Sequence, residues 1–132
     1  MDHLSKAQVQ LLETKLRSEA STLQASLADQ ADALAATEAP DPRDTEDAAA
    51  DEAGRYREGQ LRERQRARLA EVEAALERMA EGDYGICEDS GDEIPFRRLE
   101  LEPTARLTVE AQEQREEEAG VADRHEHEPI GY

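Results

Sequence analysis

Residues 84–108 read YGICEDSGDEIPFRRLELEPTARLT. The first eight have the outline of half a zinc knuckle: a glycine turn, Cys87, two residues, Ser90 and Gly91. Cys87 is the only cysteine in the chain. One thiol can neither close an internal disulfide nor fill a four-ligand structural zinc site. The stretch keeps the frame of a metal-bound turn and lacks its ligands. It also gathers bulky side chains, namely Ile86, Ile94, Phe96, Leu99, Leu101, Leu107 and Val109, so it reads as a small compact module.

Upstream of this module the pattern is helical. Ser5 and Gln8 have capping-box spacing. Val9, Leu12, Leu16, Leu23, Leu27 and Leu34, with Ala20 and Ala31 in phase, recur at three, four and seven residues. That is the narrow seam of a coiled coil, and it predicts a helix from about Ser5 to Ala36. Residues 37–47 (TEAPDPRDTED) break the pattern. Asp41 followed by Pro42 reads as an N-cap and first helical position. A second helix is expected from there, with its seam at Leu61, Leu69, Val72, Leu76 and Met79, ending at Gly82. Downstream, Pro103-Thr104 is read as opening a short helix that runs to about Glu118.

The expected fold is therefore mostly α-helical. Residues 1–80 form a long antiparallel coiled-coil hairpin whose tip is about residues 37–54. Residues 81–118 form a degenerate zinc-finger-like base with a C-terminal helix. Residues 119–132 form a flexible tail. The tip has few apolar residues and little packing to hold it, so it is expected to be the most mobile part.

Charge narrows the function. The formal net charge is −17. Such a chain will not bind a nucleic-acid backbone by bulk electrostatics, because that affinity comes from Lys and Arg neutralising phosphates. A positively charged protein groove or channel is the natural partner. No apolar run approaches 18 residues, so no membrane span is expected. The first residues lack a signal peptide's apolar stretch, and a cytoplasmic protein is expected. Nothing resembles a nucleophile with its base, a phosphate loop or an acid–base pair, so the chain is not read as an enzyme. Cys87 has Glu88, Asp89 and Asp92 as neighbours and is read as an inert remnant rather than a redox thiol. His125 and His127 are read as part of a solvated tail.

A hairpin with an acidic tip and a knuckle-like base resembles the DksA/TraR family of bacterial RNA polymerase regulators. The likeness is densest over residues 81–107, in GDYGIC (82–87), RRLE (97–100) and PTARL (103–107). The resemblance implies a coiled coil joined to a small zinc-finger base. The family's four zinc ligands would fall on Cys87, Ser90, Thr108 and Ala111. Ser and Thr hydroxyls are poor zinc ligands and Ala is none, so no zinc, and no other metal or cofactor, is expected.

Further roles follow from the same resemblance. In the family the tip carries an Asp-x-x-Asp-x-Ala pattern that enters the polymerase secondary channel and acts near the catalytic magnesium. Residues 44–49 (DTEDAA) match it at Asp44, Asp47 and Ala49. Residues three apart share a helix face, so the two carboxylates can address one target. The same aspartates would also meet the helix dipole favourably. The basic island LRERQRARL (61–69) offers Arg64 as a contact to the channel rim. Positions that sense the alarmone ppGpp in some members match Arg64, Glu71, Glu102 and Gln112. Carboxylates there would repel a polyphosphate, so a full alarmone response is not expected, although a neighbouring Arg could substitute.

The resemblance implies a monomeric, cytoplasmic, non-enzymatic regulator of transcription initiation. It would bind RNA polymerase core or holoenzyme directly and make no sequence-specific DNA contact of its own. Two other readings fit the residues. One is an acidic coiled-coil adaptor or oligomerisation protein with no polymerase role. The other is a transcript-cleavage-type factor that uses the same channel.

Overall fold

The structure, a computed structural model, describes residues 1–36 and 45–126, with side chains described for residues 1–36 and 50–121. Four helices follow in order: α1 (Lys6–Ala36), α2 (Thr45–Glu81), α3 (Phe96–Leu101) and α4 (Val109–Glu126). Among the described residues the only β-pairing is an isolated antiparallel bridge between Ile86 and Glu93. The mostly α-helical class expected from the sequence is what the structure has, with two long helices packed together.

Helix ends follow local chemistry. The Gln8 N–H donates to Ser5 Oγ at 3.1 Å, and the Ser5 N–H donates to Gln8 Oε1 at 2.9 Å. This closed capping box starts α1. At the end of α2, Gly82 takes φ 85°. Its N–H donates to the Met79 carbonyl, and the Asp83 N–H donates to that of Arg78. This is the Schellman pairing, and a glycine takes the left-handed conformation it needs without a Cβ clash.

The chain divides into two compact units. One is Glu13–Glu77; the other joins Met1–Leu12 with Arg78–Tyr132. In the first, stretches of α1 and α2 run antiparallel: Gln30 donates to Gln65, and Gln24 to Glu73. Leu16, Ala20, Val72 and Ala75 are buried there. Leu23, Leu27, Leu69 and Leu76 are half-buried. Leu34 and Leu61 are 44% and 48% exposed, so the seam is well packed over only part of its length. Polar side chains bridge the helices as well. Arg68 grips both carboxylate oxygens of Glu19, at 2.5 and 3.0 Å.

In the second unit the fully enclosed side chains include Leu12, Tyr84, Cys87, Ile94 and Leu99. Of the module's expected core, Phe96 and Leu107 are only half-buried, and Leu101 is 82% exposed. Tyr84 is the largest of them. Its hydroxyl donates to the Pro103 carbonyl at 2.7 Å. The N-terminal residues belong to this unit, where His3 Nε2 donates to the Ile94 carbonyl at 2.7 Å.

Two helix boundaries differ from the sequence reading. The last helix begins at Val109, not at Pro103, and it continues past Glu118 to Glu126. Residues 119–126, expected as the start of a flexible tail, are therefore helical. The late start has a hydrogen-bond cause. The carbonyls of Pro103, Arg106 and Leu107 accept from Tyr84, Glu88 and Arg98, and so are not available to a helical ladder. Thr108 is the cap instead. Its Oγ1 accepts from the Ala111 N–H at 3.2 Å, and its carbonyl accepts from Gln112. Helix α3 was not anticipated; Pro95 precedes it, and the Pro95 carbonyl accepts from both Arg98 and Leu99.

Candidate functional site: a knuckle built around one thiol

The knuckle is held by its own backbone. The Cys87 N–H donates to the Asp92 carbonyl at 2.8 Å, the Gly91 N–H to Cys87 at 2.9 Å, and the Ile94 N–H to Gly85 at 2.7 Å. Gly85 and Gly91 take φ 81° and 73°. At Gly85 space is short as well, because a Cβ would lie 3.1 Å from the His3 ring. These bonds form the tight turn that usually points two thiolates at a metal.

Here the turn presents one thiol, and protein donors already occupy it. The Thr108 N–H points at Cys87 Sγ across 3.4 Å, and the Thr108 hydroxyl lies 3.8 Å from the same sulfur. Burial pushes the thiol pKa up. Hydrogen bonds from Ser90, Thr108 and Asp89 outweigh it and hold the thiol down at about 6. Thr108 caps α4, so the sulfur also faces a helix N-terminus, a setting that favours thiolate.

The four positions matched to the family's zinc ligands are thus brought together. Ser90 and Thr108 bond to Cys87, and Ala111 bonds to Thr108. Their chemistry does not fit zinc. Ala111 has no donor atom, Thr108 Oγ1 is engaged in capping α4, and only Cys87 offers a soft ligand. Beside them opens a cavity lined by Asp89, Ser90, Asp92, Thr108, Ala111 and Arg115, among others. Arg115 lies in it as a cation, already paired with Asp89. Among the described residues no group of three or more His, Cys, Asp or Glu has the geometry to hold a metal ion.

The other expected site residues lie elsewhere on the chain. Asp44 is outside the described residues. Asp47 and Ala49 fall in the first turns of α2, with side chains outside the described set. Arg64 is exposed on α2 and shares a shallow depression with Tyr56, Gly59, Gln60 and Glu63. Glu71, Glu102 and Gln112 are all exposed.

Sequence reading missed the arginines that hold this module together. Arg98 Nε donates to the Leu107 carbonyl at 2.8 Å, and its Nη2 reaches Gln112 Oε1. Arg106 pairs with Glu88, and Arg115 with Asp89. Their sequence separations, 9 to 26 residues, are too long for contacts between adjacent turns of one helix, the only kind that local spacing reveals.

Comparison with known proteins agrees with this geometry. Residues 82–117 match the prokaryotic dksA/traR C4-type zinc finger. The solved structure of transcription factor DksA2 from Pseudomonas aeruginosa superposes with a TM-score of 0.77, at 33% identity over 89% of each chain. The chain belongs to the DksA/TraR family. Among curated relatives, the RNA polymerase-binding transcription factor DksA of Caulobacter vibrioides is 44% identical over 73 residues, 55% of this chain and 51% of that protein. General stress protein 16O of Bacillus subtilis is 54% identical over 52 residues, 39% of this chain and 32% of that protein. The chain thus spans about half or less of these curated relatives. Within the span 82–117 matched to a C4-type finger, this chain has one cysteine, Cys87. No described helix is long and apolar enough to cross a membrane.

Proposed function

We propose that this chain is a non-enzymatic transcription regulator that binds RNA polymerase directly. The observation that carries the reading is the likeness to DksA2 over 89% of both chains, which takes in the hairpin as well as the knuckle. A hairpin of two long helices is slim enough to enter a channel. A net charge of −17 suits one lined by basic groups and would speed encounter at low salt.

In this reading the hairpin enters the secondary channel. Asp44 and Asp47 are held near the catalytic magnesium, with Ala49 as a small contact beside them. Arg64 contacts the channel rim. The effect is a population shift: the protein binds one promoter-complex state better than another and so changes open-complex stability. No direct recognition of DNA sequence is needed. The protein works as a monomer in the cytoplasm. Zinc has no part in this, and the carboxylates at Glu71 and Glu102 argue against a full ppGpp response.

The test separates binding from effect. Asp47→Asn and Asp44→Asn variants are assayed for affinity to RNA polymerase and for open-complex lifetime. Both should bind about as well as the parent and lose the effect on lifetime. Variants that bind normally and act normally would refute the role of the tip.

A further inference from the structure

In a metal-bound knuckle the ion ties the turn to the segment that enters the next helix. This chain joins the same two segments differently. Both residues after Cys87 are acidic, and each reaches its own arginine on the far segment. Glu88 Oε1 accepts from Arg106 Nη1 at 2.9 Å, while the Glu88 N–H donates to the Arg106 carbonyl at 2.9 Å. Asp89 Oδ2 accepts from Arg115 Nε at 2.6 Å, and its other oxygen accepts from Arg115 Nη2. This is the two-pronged geometry that makes arginine–carboxylate pairs specific. Arg115 lies four residues after Ala111 and so on the same face of α4.

We infer that these two ion pairs take the mechanical place of the metal, with Arg106 and Arg115 as the positioning residues that hold the knuckle against α4. Along the chain, Arg106 precedes and Arg115 follows Thr108, whose N–H points at Cys87. Their carboxylates, Glu88 and Asp89, are the two residues between Cys87 and Ser90, so the clamp acts on the turn itself.

The substitution changes what the module is sensitive to. Metal–thiolate bonds respond to chelators and little to salt. The side chains of these pairs are 35–55% exposed, so each is weak alone and screened by salt. Arg98 bonds to neutral acceptors, which salt does not weaken in the same way. The module should therefore loosen at high ionic strength without coming apart.

Amide hydrogen exchange of the full chain at fixed pH tests this. The reporters are the amides of Glu88, Gly91 and Ile94, and the amides of α1 serve as the internal reference. Raising NaCl from about 0.05 M to about 0.5 M should speed exchange at the reporters relative to the reference. Arg106→Gln and Arg115→Gln should each speed it by about twofold to fivefold, and the double variant should lose the salt response. A chelator should change nothing. Exchange indifferent to salt and to both substitutions, or exchange that rises with chelator, would overturn the inference. Neither result depends on polymerase binding, so the two proposals stand or fall separately.

Discussion

The backbone N–H of Thr108 points at the sulfur of Cys87 from 3.4 Å. The thiol is fully enclosed. It sits at the N-terminus of α4, where a negative charge is favoured. The thiol is thereby tied to the residue that caps the helix.

That contact gives the fold a pH dependence near neutrality. The folded thiol titrates at about 6, against an ordinary value of 9.0. A group depressed on folding contributes stability that is complete above its unfolded value and is lost as pH falls through its folded one. Denaturant unfolding should show stability rising between about pH 6 and pH 9. Cys87→Ala should flatten that rise.

Tyr84 supplies a second dependence, at alkaline pH and with the opposite sign. Burial pushes its hydroxyl up to about 12, and the nearby Arg78 opposes the shift only in part. Stability from the neutral hydroxyl is complete below pH 10.0 and is lost as pH rises through about 12. Tyr84→Phe should remove this step. It should also cost about 1–3 kcal/mol near neutrality, because the Pro103 carbonyl loses its donor.

The two knuckle glycines should differ in how they tolerate a side chain. Both have left-handed backbone, which costs a non-glycine residue about 1–2 kcal/mol. At Gly91 a Cβ meets nothing within 4 Å, so Gly91→Ala should cost about that much. At Gly85 it also meets His3 at 3.1 Å and Leu4 at 3.4 Å. Gly85→Ala should therefore be the more destabilising in thermal unfolding, and truncating His3 should recover part of the difference.

The module should ignore zinc. Structural zinc supplies on the order of 10 kcal/mol in small domains that depend on it. Here the donors are committed to protein hydrogen bonds. A strong chelator should leave the helical circular dichroism signal and the melting temperature unchanged. Added zinc should not raise the melting temperature.

What the sequence disclosed tracks the range of the forces involved. The capping box at Ser5, the glycine end at Gly82 and the limits of α1 are local, and they were readable from spacing. Juxtaposition of Cys87, Ser90, Thr108 and Ala111 was readable only through the family motif. The start of α4 was not, because it depends on carbonyls at 103, 106 and 107 that accept from residues 84, 88 and 98. Nor was the Arg115–Asp89 pair, where one arginine among several finds one carboxylate among many. Leu34 and Leu61 fit the seam's period, yet remain nearly half exposed. Periodicity says which face a residue takes, not whether the partner helix covers it.

The most direct measurement is binding of the full chain to core RNA polymerase in buffer stripped of metals other than magnesium. Fluorescence anisotropy on the single thiol is unsuitable because Cys87 is enclosed, so the label belongs at the N-terminus. Saturable binding of the same strength with and without a zinc-selective chelator, displaced by an established secondary-channel binder, is the predicted result. No binding, or binding that the chelator abolishes, would contradict a metal-free channel regulator.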